Sequence, residues 1–215
     1  SWHPSPEFFF KKGAGPMFDM GPYYLTALIT MFGPVHRVSG SARITHATRT
    51  ITSEPLKGQV ITVDTPTHIT GLIEFAKGES VTITTSFDVP HHTMPCIELF
   101  GSEGTLRVPD PNGFGDPVRI KRKDDKDWSE LPHIHTFSKN WRGIGLNDMA
   151  RAIRGTQTSH AASGQLAHHV TACMHGFLRS SDEGRRLNIE IPASRPNPWR
   201  PDDALQTALA HRKHD

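Results

Sequence analysis

Period-two alternation of apolar and polar residues dominates the middle of the chain. Over 69–75, Ile69, Gly71, Ile73 and Phe75 share one face, while Thr70, Leu72 and Glu74 share the other. Over 81–88, Val81, Ile83, Thr85 and Phe87 oppose Thr82, Thr84, Ser86 and Asp88. This alternation marks half-buried strands, and Ala76-Lys77-Gly78-Glu79 between them predicts a hairpin. Further strands are expected at 35–45, 58–64, 96–100, 104–108, 117–122 and 187–191, with Gly101-Ser102-Glu103-Gly104 as another tight turn.

On either side the period changes to that of a helix. Leu25, Leu28, Ile29 and Phe32 predict a helix beginning near Phe18–Asp19, which would put Pro22 in the first turn, and ending at Gly33-Pro34. Leu146, Met149, Ala150 and Ile153 predict a second, ended by Gly155. Leu166, Val170, Cys173, Met174 and Phe177 predict a third, from Ser163 to Gly184. Residues 1–16 read as extended and loop-like. Consecutive strands on short turns favour an antiparallel or mixed sheet over βαβ units. The expected fold is α+β: a mostly antiparallel mixed sheet with helices packed on one face. It forms a single domain over 1–191, followed by an extended or partly disordered tail over 192–215. The opposite, Thr-rich face carries Leu72 and reads as a surface for self-association.

Composition narrows the function. Eighteen glycines and 17 prolines exceed the globular average and agree with many turns, yet fall short of a collagen or a disordered chain. No window holds the ~18 apolar residues a membrane helix needs. Lys+Arg 24 against Asp+Glu 22 is nearly balanced. The densest basic run, Lys121-Arg122-Lys123, meets Asp124, Asp125 and Asp127 at once and builds no phosphate-tracking stripe. Neither nucleic acid nor membrane is expected as a partner. Cys96 and Cys173 both fall in apolar-periodic segments outside any CxxC, and read as reduced core residues of a cytoplasmic protein. The opening Ser1-Trp2-His3-Pro4 reads as the interior of a longer chain.

Candidate chemistry concentrates where the Gly-rich loop Gly13-Ala14-Gly15 enters the first helix. Asp19 and Tyr23, four residues apart, fall on one helical face near its positive end. They could flank a polar substrate; equally, Asp19 could be an N-cap and Tyr23 a boundary aromatic. Among 14 histidines, His91-His92, His133-x-His135 and His168-His169 form clusters, but no third ligand of credible spacing completes a zinc site. The histidines read as exposed or helix-capping, as with His160 ahead of Ser163. Nucleophile-elbow, GxGxxG and GxxxxGK[ST] signatures are absent.

The run GAGPMFDMGPYYLTALITMFGPV resembles the opening helix of the C-terminal domain in the Gfo/Idh/MocA family of NAD(P)-dependent oxidoreductases, the glucose–fructose oxidoreductase and inositol dehydrogenase group. FGSEGTLRVPDPNGFG, WRGIGLNDMARAIR and ASGQLAHHVTACMHGFLRSSDEGRRLNIE resemble that domain's hairpin, penultimate helix, and closing helix and strand, in the same order. The resemblance implies a substrate-binding and oligomerisation domain whose Rossmann half, with its Glu-Lys-Pro lysine, is missing here. It implies a sugar or polyol substrate and NAD or NADP in the full-length enzyme, with neither cofactor bound by this chain alone. Asp19 falls on the aspartate of the family's D-x-G-x-H pattern, and Tyr23 stands where the pattern has histidine. A phenol ordinarily titrates around pH 10 and makes a poor general base. Tyr23 is therefore expected to hydrogen-bond the reacting oxygen while the lysine moves the proton. Tyr24, Trp141 and Arg142 are further pocket candidates by position, and Arg142 is equally readable as a surface residue at a helix start. A stand-alone binding or scaffold module of the same fold is the alternative.

Overall fold

The computed structural model describes residues 3–133 and 137–198. Their contacts group into two units: one built from the described residues of 3–92 together with 162–195, the other from those of 93–161 together with 196–198.

The first unit holds helix α1 (Pro16–Phe32) and strands β1 (Val35–Arg43), β2 (Thr48–Thr50), β3 (Val60–Thr62), β4 (His68–Phe75) and β5 (Ser80–Ser86). In the second lie β6 (Ile97–Phe100), β7 (Gly104–Val108), β8 (Arg119–Arg122), β9 (Ser129–Glu130) and helix α2 (Ile144–Ile153); α3 (Gly164–Glu183) and β10 (Leu187–Asn188) return to the first. Every described pairing is antiparallel. The class is α+β, as the alternation and the short turns dictate, with the strands divided among three sheets.

The principal sheet of the first unit runs β10-β1-β4-β5. The expected hairpin is in register, Gly71 facing Ile83 and Leu72 facing Thr82. Its inward set (Val38, Ile69, Ile73 and Phe75) is buried against Met17, Leu25 and Ile29 of α1 and Val170, Cys173 and Phe177 of α3. Burying each such side chain stabilises the fold by about 1.5–3 kcal/mol. Helix α3 starts where Ser163 Oγ accepts from the Leu166 N–H at 3.2 Å, and stops at Gly184 in the left-handed conformation. The outward set of the sheet includes Ser39, Ser41, Thr70, Leu72, Thr82 and Thr84 in paired rows. In the second unit, β6-β7-β8-β9 form a meander, and the Lys121–Asp127 charge cluster spans the end of β8 and the β8–β9 turn.

Several expectations are corrected. Residues 6–10 form a 3₁₀ turn, Pro6–Phe10, because a proline sets the first-turn φ and needs no N–H partner there. Helix α1 begins at Pro16 rather than near Asp19, so Pro22 lies inside it. An interior proline removes one helical hydrogen bond, and the burial of Met17, Gly21 and Leu25 on both sides of it holds the helix together. The two short strands β2 and β3 pair with each other, Arg49 facing Ile61, where only the second was anticipated. From Pro192 the chain is irregular through 198, and Arg195 Nε donates to the Thr30 carbonyl at 2.6 Å; the rest of the expected tail lies outside the described residues.

Candidate functional site

The entrance to α1 is built from backbone geometry that the sequence encodes with glycine. Gly13 and Gly15 adopt φ of 90° and 94°, a region that favours glycine. Ala14 N–H donates to Lys11 O and Gly15 N–H to Phe9 O, both at 3.0 Å, folding the loop back on the 3₁₀ turn. Gly15 is the residue that caps the helix, and its carbonyl accepts from the amides of Phe18 and Asp19 at 3.2 and 3.0 Å. Asp19 is therefore not the N-cap: it lies in the first turn with its side chain outside the capping bonds.

Asp19 is exposed, and partial burial against the helix pushes its carboxyl above the ordinary 3.8. Tyr23, 38 % exposed, follows one turn later on the same side. Tyr24 is half-buried and about 100° further around the helix axis, so it does not share that face. The structure thus brings Asp19 and Tyr23 onto one accessible strip, an acceptor beside a group that both donates and accepts.

Trp141 and Arg142 belong to the second unit and are engaged there. Trp141 meets Phe137 edge to face at 5.4 Å. Arg142 Nη2 donates to Asn112 Oδ1 and O at 2.8 and 3.2 Å, and its guanidinium stands 5.8 Å from the Phe114 ring centroid. These bonds bracket the 110–116 loop beside a cavity of about 230 Å³ lined by Val108, Asp110, Phe114, Asp116 and His133. His133 Nε2 lies 3.0 Å from Gly115 O.

The remaining candidate chemistry resolves into structural roles. Among the described residues no three His, Cys, Asp or Glu side chains gather as metal ligands; His135 lies outside the described residues. His169 is neither exposed nor capping. It is fully buried, its Nε2 accepts from the Val35 N–H at 3.0 Å, and its Nδ1 therefore donates to Ile191 O at 2.6 Å. Cys173 is buried as expected, and burial pushes its thiol up to about 12, far from a thiolate nucleophile. Cys96 is exposed, against the expectation of a core position, because β6 begins only at Ile97. For a dinucleotide the described residues offer no fit. Gly13-Ala14-Gly15 follows a 3₁₀ turn, and antiparallel pairs build no strand–turn–helix phosphate cradle.

One set of residues escaped the sequence reading. Thr65 Oγ1 donates to Ala14 O at 3.1 Å, and the Asp64 N–H donates to Phe10 O at 2.8 Å, so the β3–β4 connection grips the Gly-rich loop. Behind it, Thr67 Oγ1 donates to Asp88, which also pairs with Arg49. No local pattern announces contacts between residues 51 positions apart.

Residues 1–107 match the family model of the GFO/IDH/MocA C-terminal domain. No curated protein matches at a significant level. An NAD-binding oxidoreductase from Klebsiella pneumoniae superposes with a TM-score of 0.65 at 20 % identity, over 88 % of this chain and 54 % of its own. The apo form of levoglucosan dehydrogenase gives 0.69 at 15 % identity, over 90 % and 57 %. The transcriptional regulator Gal80p from Kluyveromyces lactis gives 0.64 at 13 % identity, over 86 % and 48 %. The chain spans about half the length of these structures, and at such identities the likeness is one of fold.

Proposed function

The chain carries the C-terminal domain of the Gfo/Idh/MocA family, and from that premise we propose that it is the substrate-binding and oligomerisation domain of an NAD(P)-dependent oxidoreductase acting on a sugar or polyol. The observation that carries this reading is the exposed Asp19–Tyr23 strip on α1, entered through a glycine turn of fixed geometry. Levoglucosan dehydrogenase has been solved with NADH and L-sorbose, and with NADH and levoglucosan, which supports the substrate class. Bound by a separate dinucleotide domain, the cofactor would supply hydride exchange at a carbinol carbon.

This chain's own part is recognition. The Asp19 carboxylate accepts from a substrate hydroxyl, a charge-assisted bond strengthened where the carboxylate is partly desolvated. Tyr23 hydrogen-bonds the neighbouring oxygen, and the two together fix which hydroxyl is presented. Proton transfer falls to a lysine outside the chain. Tyr24, beside Tyr23 on α1, and Trp141 and Arg142 of the second unit are further candidate substrate contacts, each within its own unit.

A second copy of the chain would cover the hydroxyl-rich outer face of the β1-β4-β5 sheet, where flat rows of Ser and Thr flank Leu72. The two free cysteines agree with a reducing, cytoplasmic setting, and no described helix is long and apolar enough to cross a membrane.

The test is NAD(P)-dependent turnover of a sugar and polyol panel by the enzyme containing this chain, compared with its Asp19→Asn and Tyr23→Phe variants. Turnover of at least one substrate that both variants impair supports the reading; no turnover and no NAD(P) binding would contradict it. The likeness to Gal80p, a transcriptional regulator, favours one second reading, a non-catalytic binding module on the same fold. That module would bind a small molecule or partner without redox turnover.

A further inference from the structure

We infer that Thr65 is a positioning residue for the start of α1 and, through it, for Asp19; this rests on the reading of Asp19 as a site residue. No side chain of the helix caps α1: the Gly15 carbonyl alone receives the Phe18 and Asp19 amides. The orientation of the Ala14–Gly15 peptide therefore sets the direction in which the first turn, and Asp19 with it, leaves the loop.

That peptide is held from outside. Thr65, 4 % exposed, donates its hydroxyl to Ala14 O. At Gly15, Pro66 O lies 2.8 Å, and Thr65 Oγ1 and Cγ2 each 3.2 Å, from where a β-carbon would stand, so the β3–β4 connection is seated directly on the loop. The holder is itself anchored to the main sheet. Thr67 N–H donates to Arg43 O at 3.0 Å, Phe87 N–H to Thr67 O at 2.9 Å, and Thr67 Oγ1 to Asp88 Oδ2 at 2.7 Å. A rigid path thus runs from the ends of β1 and β5 through Thr67 and Thr65 to the entrance of α1. Backbone bonds from Gly15 N–H to Phe9 O at 3.0 Å and from Asp64 N–H to Phe10 O at 2.8 Å also hold the loop, but neither engages the Ala14 carbonyl. The Lys11 pairs with Glu7 and Asp64 are exposed and hold little.

Removing only the hydroxyl, by Thr65→Val, keeps the side-chain shape and leaves Ala14 O without its donor. In this chain the Phe18 and Asp19 amides are then expected to exchange with solvent on the order of 3- to 10-fold faster. The Ile73 and Val38 amides, deep in the sheet, should exchange unchanged, and Thr65→Ser should restore the parent rates. Unchanged exchange at 18 and 19, or equal acceleration through the whole first unit, would overturn the inference. A parallel kinetic comparison in the enzyme separates it from the reading beneath it. If Asp19→Asn lowers kcat/KM while Thr65→Val does not, the positioning role alone fails. If Thr65→Val lowers kcat/KM and Thr65→Ser recovers it, the positioning role stands. Should Asp19→Asn itself leave kcat/KM intact, the site reading fails, and the inference that Thr65 positions a site residue falls with it.

Discussion

Phe177 lies across Gly71 so closely that a β-carbon on the glycine would stand 2.4 Å from the phenylalanine Cε1. The same residue presses its backbone on Gly40, where a β-carbon would meet Phe177 O at 2.2 Å. Helix α3 therefore seats on two glycines of adjacent strands, paired directly across β1 and β4. Neither neighbour can yield without moving the helix. Gly71→Ala is expected to destabilise the first unit by about 1–3 kcal/mol, a thermal midpoint lower by roughly 2–12 °C. Calorimetry checks this, and an unchanged midpoint would contradict the packing described.

His169 joins three segments: α3, the first residue of β1 and the chain just past β10. Replacing it with leucine fills the space and orphans the Val35 N–H and the Ile191 carbonyl. Each orphaned buried group costs about 1–3 kcal/mol. Urea unfolding of His169→Leu is expected to show a lower midpoint, with loss of a well-resolved Val35 amide.

The raised Asp19 pKa gives a pH dependence with a definite sign. A carboxyl that titrates higher when folded than its ordinary 3.8 weakens the fold as pH rises from 3.8 through the folded value, and the penalty disappears below 3.8. Asp19→Asn should accordingly be no less stable than the parent at neutral pH, with any gain vanishing on acidification. Its exposure keeps the gain small. Following the Asp19 carboxyl carbon by NMR should give a midpoint above 3.8; one at or below it would contradict the burial argument.

The proposed self-association through the outer sheet face predicts that Leu72→Arg, at the centre of the Ser39–Leu72–Thr82 row, shifts the chain toward monomer. Light scattering after size exclusion would read this directly. An oligomer unaffected by the change would place the interface elsewhere.

The hairpin β4–β5 was legible in the sequence because one face is buried and one is not, which writes a period of two. Helix α3 was legible because its stripe, its Ser163 cap and its Gly184 stop all agree. The start of α1 was not, since Pro22 argues locally for a first turn while Gly15, Pro16 and the core contacts of Met17 decide otherwise. The polar strand Thr48–Thr50 carries no apolar period, and its Arg49 is held by Asp88, 39 residues away. Asp19 and Tyr23 were visible by spacing, yet only the structure removes the capping role from Asp19. The Thr65 grip on Ala14 was invisible for the same reason as Arg49–Asp88: it is made by chain topology, not by neighbours in sequence.

In the proposed function, Asp19 on α1 holds a substrate hydroxyl. That role is tested most directly by the kcat/KM of Asp19→Asn in the enzyme that contains this chain, measured beside its unfolding midpoint. The expected result is a kcat/KM lower by roughly 10- to 100-fold, the loss of a hydrogen bond to a charged group, at an unchanged midpoint. A kcat/KM within twofold of the parent, or one lost only in step with stability, would contradict it.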